Sequence, residues 1–277
     1  MAAAYRTSWT IAPDGVRIAV YEWGDPAGPE ILFIHGLSQS AAAWKAQMAS
    51  GELARFRMIA YDLRGHGASE APPERAFYAA PRWAQELDAV MEQAALGRPA
   101  IVAWSWGGQV VGQYLFRFGP ARLAALNLVA ARFRPRPEFA GPVSLATAPG
   151  MASDDVEENL AATQAFVEGF FSAPPPADEI EAILAYNMVV PAKVRAAMRE
   201  VESEFDAVLA GLDLPVLVTH GADDRVVLPD MSRWTAAQIP GARLSLYENA
   251  GHCPFREDAP RFGRELAGLV DSAQLGG

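Results

Sequence analysis

The stretch IVAWSWGG, residues 101–108, sets an apolar run directly before a serine and two glycines. A serine in this setting is typical of the Gly-x-Ser-x-Gly turn, which joins a buried strand to a helix and presents the serine hydroxyl as a nucleophile. Here Ala103 replaces the first glycine of that pattern, whereas Gly107 is present. Because alanine adds only one methyl group, we expect the tight turn to form, with Ser105 at its tip.

Strand-like runs alternate with helix-like runs on both sides of this turn. Near the N-terminus, Pro13, Asp14 and Gly15 separate two alternating runs and predict a β-hairpin. Amphipathic runs at 81–96 and 106–118 predict helices. Strands are predicted at 30–35, 56–62, 99–104, 123–131, 215–220 and 242–248. The alternation requires crossover connections, so it predicts an α/β fold with a mostly parallel central sheet and helices on both faces.

The alternation of strands and helices stops between about residues 132 and 210. This region is rich in Ala, Met and Phe, as in NLAATQAFVEGFF, and prolines 174–176 interrupt it. Its helical character predicts an all-helical insertion after the sixth strand. We therefore divide the chain into an α/β core of residues 1–131 and 211–277 and a helical domain of residues 132–210.

Composition narrows the class of protein. The chain has 277 residues, is 51% hydrophobic and carries a formal net charge of −10, which argues against nucleic acid or anionic membranes as partners. Its single cysteine, Cys253, excludes an internal disulfide and a multi-cysteine metal site. The sequence shows neither a signal-peptide pattern nor an apolar run of membrane-spanning length. We expect a cytoplasmic protein, and its oligomeric state stays open.

Three residue types needed for nucleophilic catalysis follow three predicted strands. Ser105 follows strand 99–104, Asp224 follows strand 215–220, and His252 follows strand 242–248. Ligands of open α/β sheets bind beyond the carboxyl ends of the strands. A serine hydroxyl needs an imidazole to accept its proton and a carboxylate to orient that imidazole. The order Ser, Asp, His is one of the known orders of such triads.

Five segments make the chain resemble the α/β-hydrolase superfamily from about residue 15 to 270. They are FIHGLS (33–38), AYDLRGHGAS (60–69), AWSWGG (103–108), HGADDRVVLP (220–229) and NAGHCPF (249–255). The resemblance implies that Ser105 is the nucleophile, His252 the base and Asp224 the acid. Asp224 is preferred to its neighbour Asp223 because the acid of the family commonly stands three residues after a glycine, here Gly221.

The same resemblance implies roles for residues around the triad. The backbone N–H groups of Leu37 and Trp106 would form the oxyanion hole. The helical insertion resembles the family's cap domain, which roofs the site. The side chains that we expect to line an apolar substrate pocket are Trp44, Met151, Phe166, Phe170, Tyr186 and Met188. The other histidines, His35, His66 and His220, are interpreted as structural. The arginines at 132, 134 and 136 are interpreted as a solvated hinge, with the alternative that they hold a substrate carboxylate.

The function that the resemblance implies is hydrolysis of carboxylic esters or lactones through an acyl-enzyme. We expect small to medium apolar substrates and no metal or organic cofactor. Two alternatives stay open at this point. The same triad supports acyl transfer to acceptors other than water, including peroxide, and some proteins of this fold act as ligand receptors with vestigial hydrolysis.

Overall fold

An eight-stranded sheet forms the centre of the molecule. The computed structural model describes residues 5–201 and 203–275. The strands are β1 (Arg6–Ile11), β2 (Arg17–Gly24), β3 (Glu30–Ile34), β4 (Arg57–Tyr61), β5 (Ala100–Trp104), β6 (Ala125–Val129), β7 (Val216–Gly221) and β8 (Arg243–Tyr247). They lie in the order β1-β2-β4-β3-β5-β6-β7-β8. The β1–β2 and β2–β4 pairs are antiparallel and the other described pairs are parallel, so the predicted sheet is confirmed.

Helices cover both faces of the sheet because side chains of a strand alternate between its two sides. In β5, Ile101 and Ala103 belong to a buried cluster with residues of the two helices α2 (Ala80–Gln93) and α3 (Gly107–Phe118). Val102 and Trp104 belong to a second cluster with residues of the C-terminal helix. The remaining helices of this core are α1 (Lys45–Met48), α9 (Asp230–Gln238), α10 (Pro254–Glu257) and α11 (Ala259–Leu275).

The described residues between β6 and β7 form five α-helices and a short 3-10 helix (Pro137–Phe139), where the sequence predicts a helical insertion. The α-helices are α4 (Pro142–Met151), α5 (Val156–Glu168), α6 (Ala177–Met188), α7 (Ala192–Arg199) and α8 (Asp206–Ala210). Phe166 and Phe170 join the cluster that contains Trp104, whereas Leu209 of α8 joins the cluster of α2 and α3. Among the described residues, none of the helices has the length and apolar character needed to cross a bilayer. The treatment of 132–210 as a separate domain stays a prediction.

Candidate active site

Ser105 lies on a tight turn between β5 and α3. Its φ of 54° places it in the left-handed region, which a residue other than glycine adopts only when its surroundings enforce it. Three backbone hydrogen bonds do so. The Ser105 N–H donates to the carbonyl of Val129 (2.9 Å), and the Ser105 carbonyl accepts from the N–H groups of Gly108 (3.0 Å) and Arg132 (2.8 Å). The strained turn directs the hydroxyl away from the strand, towards a cavity.

Close packing around the turn explains why small residues surround the serine. A Cβ atom on Gly36 would lie 3.0 Å from Cβ of Ser105, and one on Gly107 would lie 3.0 Å from the carbonyl oxygen of Ile34. Ala103 is fully buried in β5, opposite Ile34 in the strand pairing. The turn therefore forms with alanine at the position where the common pattern has glycine.

His252 and Asp224 meet beyond the ends of β8 and β7. Nδ1 of His252 lies 2.7 Å from Oδ2 of Asp224, and both side chains are buried. Because a carboxylate accepts the bond, Nδ1 carries the proton and Nε2 presents its lone pair. Within the described part of the chain, that buried Nε2 has no hydrogen-bond partner. This tautomer is the one that can accept a proton from a serine hydroxyl.

Asp224 accepts hydrogen bonds at both of its carboxylate oxygens. Oδ1 accepts from the N–H groups of Val226 (2.8 Å) and Val227 (3.0 Å), and Oδ2 faces His252 and also Nε2 of His220, which is 2.9 Å away. Burial acts to raise the pKa of Asp224. The nearby His252 and His220 outweigh it and hold the pKa well below its ordinary value. The carboxylate is therefore ionised at neutral pH.

His220 does more than the packing role that the sequence suggested. Besides Asp224, its Nε2 lies 2.9 Å from the carbonyl oxygen of Val227, so this nitrogen carries the proton and donates. Its Nδ1 is then left to accept from the Ser232 hydroxyl at 2.6 Å. His220 thus fixes the side of Asp224 that faces His252. The sequence signal that could have indicated this role is a histidine at the end of a predicted strand, four residues before Asp224.

Asp223 has different surroundings from its neighbour Asp224. Its side chain is exposed and accepts a hydrogen bond from the hydroxyl of Ser172 at 2.6 Å. The structure therefore places Asp224, and not Asp223, against His252.

Trp104 connects the serine turn to the histidine loop. Its indole N–H donates to the carbonyl of His252 at 2.9 Å, and its ring lies 5.4 Å from the imidazole ring. The ring of Phe170 contacts both, at 5.7 Å from Trp104 and 5.6 Å from His252. The N–H of His252 also donates to the Phe170 carbonyl at 2.6 Å. Aromatic packing and main-chain bonds together set the position of the imidazole.

Two backbone N–H groups next to Ser105 are open to a ligand. Leu37 and Trp106 both line the cavity that Ser105 faces. Among the described residues, no hydrogen bond uses the N–H of either one. Pairs of such donors stabilise the negative charge that develops on a carbonyl oxygen during acyl transfer. The predicted oxyanion donors are thus placed beside the serine and are unengaged.

Two buried histidines hold the loop that carries Leu37. His35 donates from Nδ1 to the Gly36 carbonyl (2.8 Å), and its Nε2 accepts from the N–H of Leu63 (3.0 Å). Nε2 of His66 accepts from the N–H of Ser38 at 3.2 Å. Burial lowers the pKa of His35 to about 4 and that of His66 to about 3, so both rings are neutral. They act as loop supports, in line with the sequence interpretation.

The cavity beside Ser105 differs from the predicted apolar pocket. It has a volume of about 30 Å³, room for only a few water molecules, and of the six predicted pocket side chains only Phe166 lines it. Trp44, Met151 and Phe170 are buried in the core cluster that contains Trp104. Tyr186 and Met188 lie on α6 and do not line this cavity. The arginines at 132, 134 and 136 line its wall, so they do not form a purely solvated hinge.

Comparison with known proteins agrees with this geometry. A model of the alpha/beta hydrolase family matches residues 31–265, which include all three candidate catalytic residues. The chain belongs to the α/β-hydrolase family. This family assignment confirms the resemblance drawn from the five sequence segments and agrees with the observed strand order.

Several individual α/β-hydrolases are similar over nearly their whole length. A candidate aryl esterase from Burkholderia cenocepacia superposes with a TM-score of 0.93 at 34% identity, covering 97% of this chain and 99% of that protein. The esterase RhEst1 from Rhodococcus sp. ECU1013 gives 0.90 at 31% identity, with 96% and 99% covered. The non-heme chloroperoxidase CPO-A1 from Kitasatospora aureofaciens is 30% identical over 268 residues, 91% of this chain and 95% of that one.

Proposed function

We propose that this α/β-hydrolase cleaves carboxylic esters through a triad of Ser105, His252 and Asp224. The observation that carries the proposal is the pairing of His252 with Asp224 through Nδ1. That pairing leaves Nε2 as a buried base without a partner among the described residues, while Ser105 stands on a strained turn beside two open backbone donors. The similarity to RhEst1 and to the Burkholderia protein supports ester chemistry.

The geometry supports a two-step reaction. Nε2 of His252 accepts the hydroxyl proton as Oγ of Ser105 attacks the ester carbonyl, and the N–H groups of Leu37 and Trp106 bind the resulting oxyanion. His252 then gives the proton to the departing alcohol, which leaves an acyl-enzyme. In the second step His252 accepts a proton from water, which attacks the acyl group, and Ser105 recovers its proton as the acid is released. Asp224 stabilises the imidazolium in both steps.

The decisive test is hydrolysis of 4-nitrophenyl acetate by the wild type and by Ser105→Ala. Loss of a triad nucleophile is expected to lower kcat by about 10⁴-fold or more. Circular dichroism of both proteins controls for folding. A Ser105→Ala enzyme that retains the wild-type rate would contradict the proposal, as would a folded wild type without multiple turnovers on any simple ester.

A second candidate function uses the same triad with another acyl acceptor. The similarity to CPO-A1, whose name denotes oxidation of chloride, favours hydrogen peroxide as that acceptor. Peroxide would attack the acyl-enzyme in place of water, and a peracid would leave with Ser105 restored. The ratio of peracid to acid formed from one ester, measured at increasing peroxide concentration, separates this function from plain hydrolysis.

A further inference from the structure

The wall of the Ser105 cavity is positively charged. Four arginine side chains line it, Arg132, Arg134, Arg136 and Arg199, and no carboxylate of the described residues lines it with them. Two of these cations are neutralised from outside the cavity. Arg134 pairs with Asp206 at 2.5 Å, and Arg136 pairs with Glu204 at 2.8 Å. The charge of these two arginines is therefore already compensated by the protein.

Arg199 has no such compensation in the part of the chain that the structure describes. It is the last residue of α7 and is half-buried. Its Nε is buried and has no hydrogen-bond partner among the described residues. In the part of the chain that the structure describes, Nη2 reaches only Sδ of Met151, at 3.9 Å, and a thioether sulfur is a weak acceptor. The guanidinium therefore lacks a strong hydrogen-bond acceptor among the described residues, and it lines the cavity wall.

Other buried arginines of this protein have partners for their guanidinium groups. Arg64 is fully buried and pairs with Asp14 and Glu86, each at 2.7 Å. Arg195, one turn before Arg199 on α7, is held by neutral oxygens, among them the Asn187 carbonyl at 2.5 Å and Oδ1 of Asn159 at 2.8 Å. A half-buried cation without either kind of support is unfavourable. This contrast indicates that the partner of Arg199 arrives with a ligand.

The electrostatic environment of Arg199 also favours a ligand as its partner. Burial lowers its pKa to about 10, and the charges of Arg132 and Arg195 contribute to the lowering. The guanidinium nevertheless stays protonated at neutral pH. A bound anion would relieve the repulsion among these three cations, and a neutral ligand would not.

Arg199 is also fixed relative to the reacting serine. The indole N–H of Trp106, the residue after Ser105, donates to the carbonyl of Met198 at 3.2 Å. The last turn of α7 is therefore attached to the start of the serine turn, and Arg199 shares one cavity with Ser105 and Leu37. A substrate held at the oxyanion donors and at Arg199 would be gripped at two separate points.

We propose that the substrates are esters with a free carboxylate, which Arg199 binds while Ser105 attacks the ester carbonyl. This inference rests on the proposed ester hydrolysis and adds the class of substrate. The planar guanidinium matches a carboxylate through two parallel hydrogen bonds. Because Ser105 and Arg199 line one small cavity, we expect the preferred substrates to be monoesters of short dicarboxylic acids. This proposal differs from the apolar substrates expected from the sequence, which stay a prediction.

The test compares acid esters with neutral esters of the same shape. Monoethyl succinate, glutarate and adipate are each paired with the ethyl ester of the corresponding monoamide, and acid release is followed in a pH-stat. We expect the wild type to prefer at least one acid ester. Arg199→Gln is expected to lower kcat/KM for that ester by about 10- to 100-fold, the size of a lost charge-assisted pair, and for its amide partner by less than about 3-fold.

Lys193→Gln provides the matched control. It removes one positive charge from the exposed side of the same helix, away from the cavity, and is expected to leave both rates unchanged. Equal losses on acid and amide esters in Arg199→Gln would overturn the inference. So would a wild type that hydrolyses neutral esters and shows no preference for any acid ester. A wild type inactive on all of these esters and on 4-nitrophenyl acetate would instead overturn the proposed function.

A second measurement covers the case in which Arg199→Gln does not fold. Glutaramate and glutaramide are compared as competitive inhibitors of wild-type hydrolysis of 4-nitrophenyl acetate. Glutaramate is expected to inhibit at about 10-fold lower concentration than glutaramide, because only glutaramate has a carboxylate for Arg199 to bind. Equal inhibition by the two compounds would contradict a carboxylate site at Arg199.

Discussion

The adjacent carboxylates Asp223 and Asp224 offer a sharp test of the candidate triad, because asparagine at each position changes the same atoms. In Asp224→Asn, the amide oxygen can replace Oδ1 and still accept from Val226 and Val227. The amide nitrogen then replaces Oδ2 and faces two ring nitrogens that both carry protons, Nε2 of His220 and Nδ1 of His252. Donors would oppose donors at 2.9 and 2.7 Å.

The sizes of the losses in stability and in kcat that we expect for Asp224→Asn follow from these contacts. Two buried hydrogen bonds are lost, at about 1–3 kcal/mol each, so the free energy of unfolding should fall by roughly 2–6 kcal/mol. The imidazole of His252 can relieve the conflict only by moving its proton from Nδ1 to Nε2. In that tautomer it cannot accept the proton of Ser105. We therefore expect kcat to fall by about 10⁴-fold, the effect of the wrong tautomer in a serine triad, which corresponds to about 5 kcal/mol.

Asp223→Asn is the control. Among the described side chains, its exposed carboxylate accepts only from the Ser172 hydroxyl, and an amide oxygen accepts that bond equally well. We expect kcat within about 3-fold of the wild type, as for most surface substitutions. Both variants are assayed with 4-nitrophenyl acetate under saturating conditions, and urea unfolding shows whether each is folded. A large loss in Asp223→Asn, together with a loss of less than 10-fold in folded Asp224→Asn, would refute the assignment of the acid.

Two further predictions concern the loop beside the serine. In Gly36→Ala, the new methyl group would lie 3.0 Å from Cβ of Ser105, so the Ser105 side chain that carries the hydroxyl must shift by a few tenths of an ångström. We expect kcat/KM to fall by about 10- to 100-fold with the protein still folded, and an unchanged value would contradict the close approach. Because the folded-state pKa of His66, about 3, lies below its unfolded value near 6.5, stability is lost as pH falls below about 6.5. Lowering the pH from 7 to 5 should therefore reduce the free energy of unfolding, measured with urea, by about 2 kcal/mol through this residue. The same pH change should reduce the free energy of unfolding of His66→Gln by about 2 kcal/mol less.

The sequence predicted the sheet well because its signals are local. Each parallel strand is a short apolar run that is buried on both faces, and turn residues or helix-like runs separate these strands. The serine turn was also predictable, because it requires small neighbours and the sequence has Ala103 and Gly107 at those positions. These features depend on the type of residue at fixed spacing and need no knowledge of distant contacts.

The cavity could not be predicted in the same way. Aromatic and methionine side chains on a helix have the same spacing whether they face a core or a pocket, and the direction depends on how the helices pack on the sheet. Phe166 lines the cavity, whereas Phe170, one turn along, is packed against Trp104 and His252. No local pattern distinguishes these two phenylalanines.

The position of Arg199 at the cavity was missed for a related reason. An arginine on an amphipathic helix is usually solvated, so Arg199 gave no signal alone. Arg195 and Arg199 are spaced four residues apart, on the side of α7 that also carries the buried Met198. Two cations at that spacing beside buried apolar residues are a detectable feature. It could have directed attention to a charged interior.

The positive cavity also has to be reconciled with a protein whose net charge is −10. At physiological ionic strength the Debye length is about 8 Å, so distant acidic side chains on the surface act weakly on an approaching anion. The interaction at Arg199 is short-ranged and partly shielded from water, and salt weakens it less. The two effects therefore act at different stages: surface charge slows the approach of an anionic ester slightly, whereas Arg199 determines which ester stays bound beside Ser105. A cation within the cavity can thus select acidic substrates even in an acidic protein.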